Sequence, residues 1–83
     1  MKLTDNFSKH EFDCNDGSDM PDMVFENVKL LANALQTIRE CIDYPVTLTN
    51  AYRSLEYNRS IGSKDTSQHV LGKAADLQVE EMI

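Results

Sequence analysis

A run of apolar residues with helical spacing is the clearest pattern in the chain. The members recur at alternating steps of four and three residues, as on one face of an α-helix: Val24, Val28, Leu31, Leu35, Ile38 and Ile42. The pattern predicts a helix from about Met23 to Ile42. Asp43, Tyr44 and Pro45 interrupt the spacing and are expected to end the helix.

Two later stretches alternate in the manner of β-strands. The β-branched run Val46 to Thr49 predicts a strand with Val46 and Leu48 facing the helix. In AADLQV, residues 74–79, the alternation turns Asp76 away from the core. Between the strands, Ser54 is expected to cap a short helical turn, and residues 62–68 are polar and loop-like.

Composition and charge narrow the class of protein. Eighty-three residues, 41% of them hydrophobic and 27% charged, correspond to one soluble globular domain, residues 1–83. No apolar run approaches the roughly 18 residues of a membrane span, so we expect no integral membrane segment. The net charge of -6 would repel a phosphate backbone, so we expect no nucleic-acid partner.

The start of the chain and its two cysteines indicate the compartment. MKLTDNFSKHEF contains no apolar stretch of the secretory kind, so we expect synthesis in the cytoplasm without a signal peptide. Cys14 and Cys41 form no C-x-x-C pair and no disulfide-dense pattern. We therefore expect both to be buried free thiols in a reducing compartment.

The stretch DCNDGSDMPD, residues 13–22, predicts a solvated acidic loop. Its spacing of Asp13, Asn15 and Gly17 resembles part of a calcium-binding loop. That motif requires glycine at its sixth position and glutamate at its twelfth, where this chain has Ser18 and Val24. Calcium is therefore not expected here.

The stretch SQHVLGKAAD, residues 67–76, contains two residues of the types that bind zinc. A catalytic zinc takes three protein ligands and keeps one position open for water. His69, in the loop before the second strand, and Asp76, on the face of that strand away from the core, supply two ligands. A histidine and an aspartate at this separation are more often a surface or core pair, so these residues alone leave both interpretations open.

The same stretch fits the pattern S-x-H-x-x-G-x-A-x-D, in which all five fixed positions match. In this respect the chain resembles the zinc D-Ala-D-Ala carboxypeptidases and murein endopeptidases of the M15 peptidase family. The segment TNAYRSLEYNRSIG is similar to the strand and turn of that family that end in Y-R-S, and NFSKHEFDC before a long helix is similar to its opening. The resemblance covers nearly the whole chain. It implies an α+β fold, the D-Ala-D-Ala peptidase (hedgehog-like) fold, with one long N-terminal helix packed on a small antiparallel sheet.

The resemblance also implies a role for four residues. His69 and Asp76 would bind the zinc cofactor. Arg53 would polarise the scissile carbonyl and stabilise the oxyanion, a role that suits a permanently charged guanidinium with fixed donors. Ser67 would bind substrate or orient the ligating histidine. Without the resemblance, Arg53 would be interpreted as part of a surface ion pair. For Ser67, a loop hydroxyl without a functional role is an equally open interpretation.

Part of the family's catalytic machinery has no counterpart in the sequence. Family members carry a third ligand, a histidine, and a catalytic carboxylate on a later strand, whereas only seven residues follow Asp76. His10 lies where the family has no ligand and is expected to be solvated, and Glu80 and Glu81 are poor candidates for the base. We therefore expect the chain to be the N-terminal portion of a longer peptidase, with an incomplete fold and active site.

Two functions follow as hypotheses. The first is a zinc-dependent metallopeptidase that cleaves peptidoglycan peptides as a D-Ala-D-Ala carboxypeptidase or murein endopeptidase, with delivery to the cell wall of the kind that phages use. The alternative is a non-catalytic module that retains the peptidase fold and binds a wall peptide or a protein. A structural remnant without metal is a third possibility, which zinc content would separate from the other two.

An incomplete sheet also predicts self-association. Without later strands, one sheet edge and part of the apolar face of the helix would be uncovered, and uncovered edges pair with other chains. We expect a homodimer formed through the exposed edge, whose population in light scattering rises between two protein concentrations. A monodisperse monomer at both concentrations would contradict this prediction.

Overall fold

The computed structural model describes residues 1–79 and has an α+β architecture. In chain order, the elements are a 3-10 helix at Lys9–Phe12, helix α1 at Asp22–Ile42, strand β1 at Val46–Asn50, helix α2 at Leu55–Ser60 and strand β2 at Asp76–Val79. The predicted long helix and antiparallel pair are confirmed. Across these 79 residues, no helix combines the length and the apolar character that crossing a membrane demands.

Helix α1 buries the middle of its predicted apolar face. Val28, Ala32 and Leu35 are buried there, whereas Ile38 toward the C-terminus is 46% exposed. The helix ends where Asp43 takes a left-handed conformation with φ of 55° and its N–H donates to the carbonyl of Arg39. A short polar side chain tolerates this conformation better than most, which explains an end without glycine.

The N-terminal segment supplies the aromatic part of the core. Phe7 and Phe12 are fully buried, and their rings meet edge to face with centroids 6.3 Å apart. The core cluster consists of Phe7, Phe12, Val28, Ala32, Leu35 and Ala51. Val46 and Leu48 of β1 pack against this cluster, to which α1 contributes Val28, Ala32 and Leu35. The first residues of the chain are therefore part of the folded unit, although they lack periodicity.

The two cysteines differ in burial. Both are free thiols, and Cys14 is buried as predicted. Cys41 is exposed, so the prediction of burial is wrong for this residue. At 100° per residue, Cys41 lies roughly 220° around α1 from Val28, on the side of the helix away from the core.

A bulge in the sheet changes which residues share a face. The antiparallel register pairs Leu48 with Leu77, but the next pair is Asn50 with Asp76, so β1 has one more residue than β2 at this point. The extra residue, Thr49, donates its hydroxyl to the carbonyl of Asp76 at 3.3 Å. Side chains alternate along a strand, so the bulge places Asn50 on the face of Asp76 instead of the face of Leu48. Among the described residues β2 pairs with β1 alone, and the predicted dimer stays a prediction.

The turn before β2 is closed by Gly72. The N–H of Lys73 donates to the carbonyl of Gln68, and the N–H of Gly72 donates to that of His69, as in the Schellman motif that ends helices. Gly72 has φ of 71° and lies against α1, where a Cβ atom would meet a Val24 methyl carbon at 2.7 Å. Glycine therefore serves both the turn and its close packing on the helix.

We expect Gly72→Ala to lower the free energy of unfolding by about 3 kcal/mol, from left-handed strain together with the clash against α1. Gly62→Ala is the matched control, since Gly62 has φ of 80° but nothing within 4 Å of the new methyl group. It is expected to cost about 1 kcal/mol. Urea unfolding followed by circular dichroism measures both, and equal losses would refute the close approach.

Candidate metal centre

His69 is held by the segment that follows β1. Its Nδ1 lies 2.7 Å from the carbonyl oxygen of Ala51, and the backbone N–H of Arg53 donates to the carbonyl of His69 at 3.0 Å. A carbonyl oxygen only accepts, so Nδ1 carries a proton, and in the neutral imidazole the Nε2 lone pair is left available. This is the arrangement in which metal-binding histidines are found, with one ring nitrogen bonded to the protein and the other directed at the metal.

Asp76 faces that available nitrogen. Its Oδ1 lies 3.6 Å from His69 Nε2, and its side chain is 58% exposed against 13% for His69. Two ligands about 2.1 Å from a tetrahedral zinc ion are separated by roughly 3.4 Å. The donor types and their spacing therefore fit two positions of a zinc site that is open to solvent.

Arg53 lies on the other side of the same carboxylate. Its Nη2 is 3.7 Å from Asp76 Oδ2, and its side chain is 11% exposed. The remaining donors are taken up by neutral oxygens: Nε donates to Asn50 Oδ1 at 3.2 Å, and Nη1 donates to Asn58 Oδ1 at 3.2 Å and to Ser63 Oγ at 3.3 Å. The guanidinium is thus held through Nε and Nη1 and presents Nη2 to the site.

Ser67 lies in the turn that carries His69. Its hydroxyl oxygen accepts the backbone N–H of His69 at 3.3 Å, and the residue is half-buried. This contact connects Ser67 to the backbone of the histidine that it was expected to orient. Its predicted substrate contact stays a prediction.

The N-terminal acidic loop bonds to Ser54, the residue that follows Arg53. Ser54 Oγ accepts the N–H of Tyr57 as the cap of α2 and donates to Asp16 at 2.9 Å, while the N–H of Ser54 donates to the Cys14 sulfur at 3.3 Å. Hydrogen bonds from Cys14 and then Ser18 hold the pKa of the Asp16 carboxyl well below its usual range. The loop predicted to be solvated is therefore joined to the start of α2.

The third ligand is absent from the described part of the chain. Within residues 1–79, no third histidine, cysteine, aspartate or glutamate gathers with His69 and Asp76 into a potential metal-binding group. His10 is exposed in the 3-10 helix, in line with the solvated role expected of it. Glu80 and Glu81 lie outside the described residues.

Three residues of the site were not predicted from the sequence. Asn50, Asn58 and Ser63 bond the Arg53 guanidinium, yet none belongs to the motif. The bulge brings Asn50 to the site, and a bulge has no signal in the alternation of β1. Asn58 did carry a weak signal, since an asparagine inside a short helix competes with the backbone unless its side chain has a partner elsewhere.

Comparison with known proteins is consistent with this geometry. The family model described as Peptidase M15 matches residues 4–82, whereas no curated protein and no solved structure gives a significant match. The match confirms the family resemblance and supports a peptidase-type function, in a family that is generally metal-dependent. The chain belongs to the Peptidase M15 family.

Proposed function

We propose that this chain is a zinc-dependent peptidase domain that acts on the peptides of peptidoglycan, with the third zinc ligand and the catalytic base not found among its described residues. The observation that carries the proposal is the facing pair of His69 Nε2 and Asp76 Oδ1 at 3.6 Å, with Nδ1 of the histidine bonded to a backbone carbonyl. The family match supports the peptidase activity. The substrate class, of the D-Ala-D-Ala carboxypeptidase or murein endopeptidase type in the cell wall, is supported by the motif from Ser67 to Asp76.

His69 and Asp76 are the residues that would hold the zinc ion. When bound, zinc supplies a Lewis acid that polarises a peptide carbonyl and makes water nucleophilic at neutral pH. The Ala51 carbonyl keeps the proton on Nδ1 and so keeps Nε2 basic toward a cation. The exposed Asp76 adds a negative charge that solvent and a cation both reach.

Arg53 would act on the substrate itself. Its Nη2 lies on the site side of the guanidinium, 3.7 Å from Asp76, beyond the length of a good hydrogen bond. These N–H groups are available to a peptide carbonyl whose oxygen gains negative charge during hydrolysis. A donor already held in position stabilises that charge without reorganising, which is the condition for a large effect on rate. Ser67, at the edge of the same turn, would contact the substrate.

Zinc binding tests the metal part of the proposal. Elemental analysis of the chain purified without chelator is expected to give close to one zinc per chain. His69→Ala is expected to lower the zinc affinity by more than about 100-fold, because loss of a residue that merely bonds a ligand already lowers metal affinity roughly 10- to 100-fold. His10→Ala is the matched control and is expected to retain zinc, because His10 is an exposed residue of the 3-10 helix. Equal zinc in the wild type and His69→Ala, or none in either, would exclude this site.

Hydrolysis of muropeptides tests the role of Arg53. Arg53→Lys keeps the charge but removes the planar fork, so we expect kcat to fall by about 100- to 1,000-fold with zinc content unchanged. Arg59→Lys is the control: Arg59 is 59% exposed, pairs with Asp65 and is expected to leave kcat unchanged. If the two variants have the same kcat, Arg53 has no catalytic role. Binding of muropeptide without hydrolysis by the wild type would favour the alternative of a non-catalytic module.

A further inference from the structure

Asn58 is a polar side chain in the protein interior. It lies in helix α2 and is 0% exposed, in a position where asparagine carries an energetic cost unless its amide is fully bonded. Both ends of the amide are bonded. Oδ1 accepts from Arg53 Nη1 at 3.2 Å, and Nδ2 donates to the carbonyl of Lys64 at 2.8 Å. The two partners require opposite ends of the amide, so the side chain has one satisfied orientation.

The first of these bonds is made by Nη1 of Arg53, next to the nitrogen that faces the site. Nε and Nη1 are directed toward Asn50, Asn58 and Ser63, and Nη2 is left toward Asp76. Arginine has a long side chain with many rotamers, and only the fixed plane of the guanidinium makes its donors directional. A buried acceptor on Nη1 restricts rotation of that plane, which an exposed acceptor competing with water would do less well.

The second bond joins the same asparagine to the loop that leads to the motif. Lys64 accepts from Asn58 Nδ2, and the N–H of Ser67 donates to the carbonyl of Lys64 at 3.0 Å. The backbone carbonyl of Asn58 also accepts the N–H of Ser63 at 3.1 Å. Asn58 therefore contacts both Arg53 and the loop that leads to Ser67 and His69.

We propose that Asn58 is a positioning residue, which orients the Arg53 guanidinium so that Nη2 faces the substrate side of the site. The inference rests on the proposed function for the role of Arg53 in hydrolysis. Asn58 itself touches no reacting atom. It acts through its hydrogen bond to Arg53 Nη1. Through its bond to the Lys64 carbonyl, it also holds the loop that leads to His69 in place relative to Arg53.

A structural role of Asn58 and a positioning role predict different results, and two substitutions distinguish the two roles. Asn58→Asp keeps an oxygen for Arg53 Nη1 but sets the second oxygen against the Lys64 carbonyl. Asn58→Ala removes both bonds. Each variant is expected to lower the melting temperature, because each removes at least one hydrogen bond made in the interior. Only Asn58→Ala is expected to release Arg53.

The side-chain N–H signals of Arg53 report its restraint directly. In ¹⁵N NMR spectra of the wild type, assigned by their loss in Arg53→Lys, we expect a slowly exchanging Arg53 Nε–H and resolved Nη–H signals. Exchange of Nε–H is expected to be at least about 10-fold faster in Asn58→Ala and close to wild type in Asn58→Asp. With the zinc-loaded chain and a muropeptide, kcat is expected to fall about 10- to 100-fold in Asn58→Ala, with KM and zinc content unchanged.

Arg59→Gln is the matched control. Arg59 also ties α2 to the following loop, through two bonds to Asp65 at 3.0 and 2.8 Å, but it touches none of the site residues. Its loss is expected to leave the Arg53 signals and kcat as they are. If Asn58→Ala does not fold, Asn58→Ser takes its place, since the shorter hydroxyl leaves a polar group in the site but does not reach Arg53.

Each result either supports or overturns the positioning role of Asn58. Faster Arg53 exchange in Asn58→Ala or Asn58→Ser, with protection retained in Asn58→Asp, supports the positioning role. Unchanged Arg53 exchange in the folded Ala or Ser variant overturns it, as does equal loss of protection in the Asp variant. If the wild type hydrolyses no muropeptide, the proposed function fails while the NMR comparison still decides the role of Asn58. If hydrolysis persists and the Arg53 signals do not respond, Asn58 has no positioning role and the proposed function stands.

Discussion

Two hydrogen bonds between His69 and the segment after β1 hold the site together. The ring Nδ1 donates to the Ala51 carbonyl, and the His69 carbonyl accepts the Arg53 N–H. The histidine side chain is thereby joined to a residue 18 positions earlier in the chain. Ala51 is buried, and the N–H of Tyr52 donates to the Phe12 carbonyl on the other side. The segment is therefore anchored from both sides. A shift of this segment would move the histidine and the arginine together, which keeps their relation to each other.

Charge explains why these residues stay together in an acidic chain. Pairs such as Lys29 with Glu26 are largely exposed, and exposed pairs contribute little to stability. Arg53 is different, since its side chain is 11% exposed and a nearly buried cation without partners would be costly. Neutral oxygens bond Nε and Nη1 of the guanidinium, and Asp76 supplies the counter-charge. Because Asp76 remains 58% exposed, the same carboxylate stays accessible to a cation.

The N-terminal segment supports the arrangement of Arg53 and its partners. Phe7 and Phe12 fill the core, and Cys14 and Asp16 bond Ser54, the capping residue of α2. That cap fixes where α2 begins and hence where its second turn presents Asn58. A short chain has little interior, so the same few residues form the core and support the site.

Local pattern was sufficient for the long helix, the first strand and the motif. The periodic spacing predicts the start of α1 to within one residue, because a stripe of apolar side chains along a helix is buried only when that face packs against the core. The S-x-H-x-x-G-x-A-x-D spacing singles out His69 and Asp76, which the fold brings to 3.6 Å. Tertiary contacts were needed for the rest. The burial of Phe7 and Phe12, the bulge at Thr49 and the buried bond from Asn58 to Arg53 all depend on which segments meet in space, and neither propensity nor periodicity encodes the contact between residues distant in the chain.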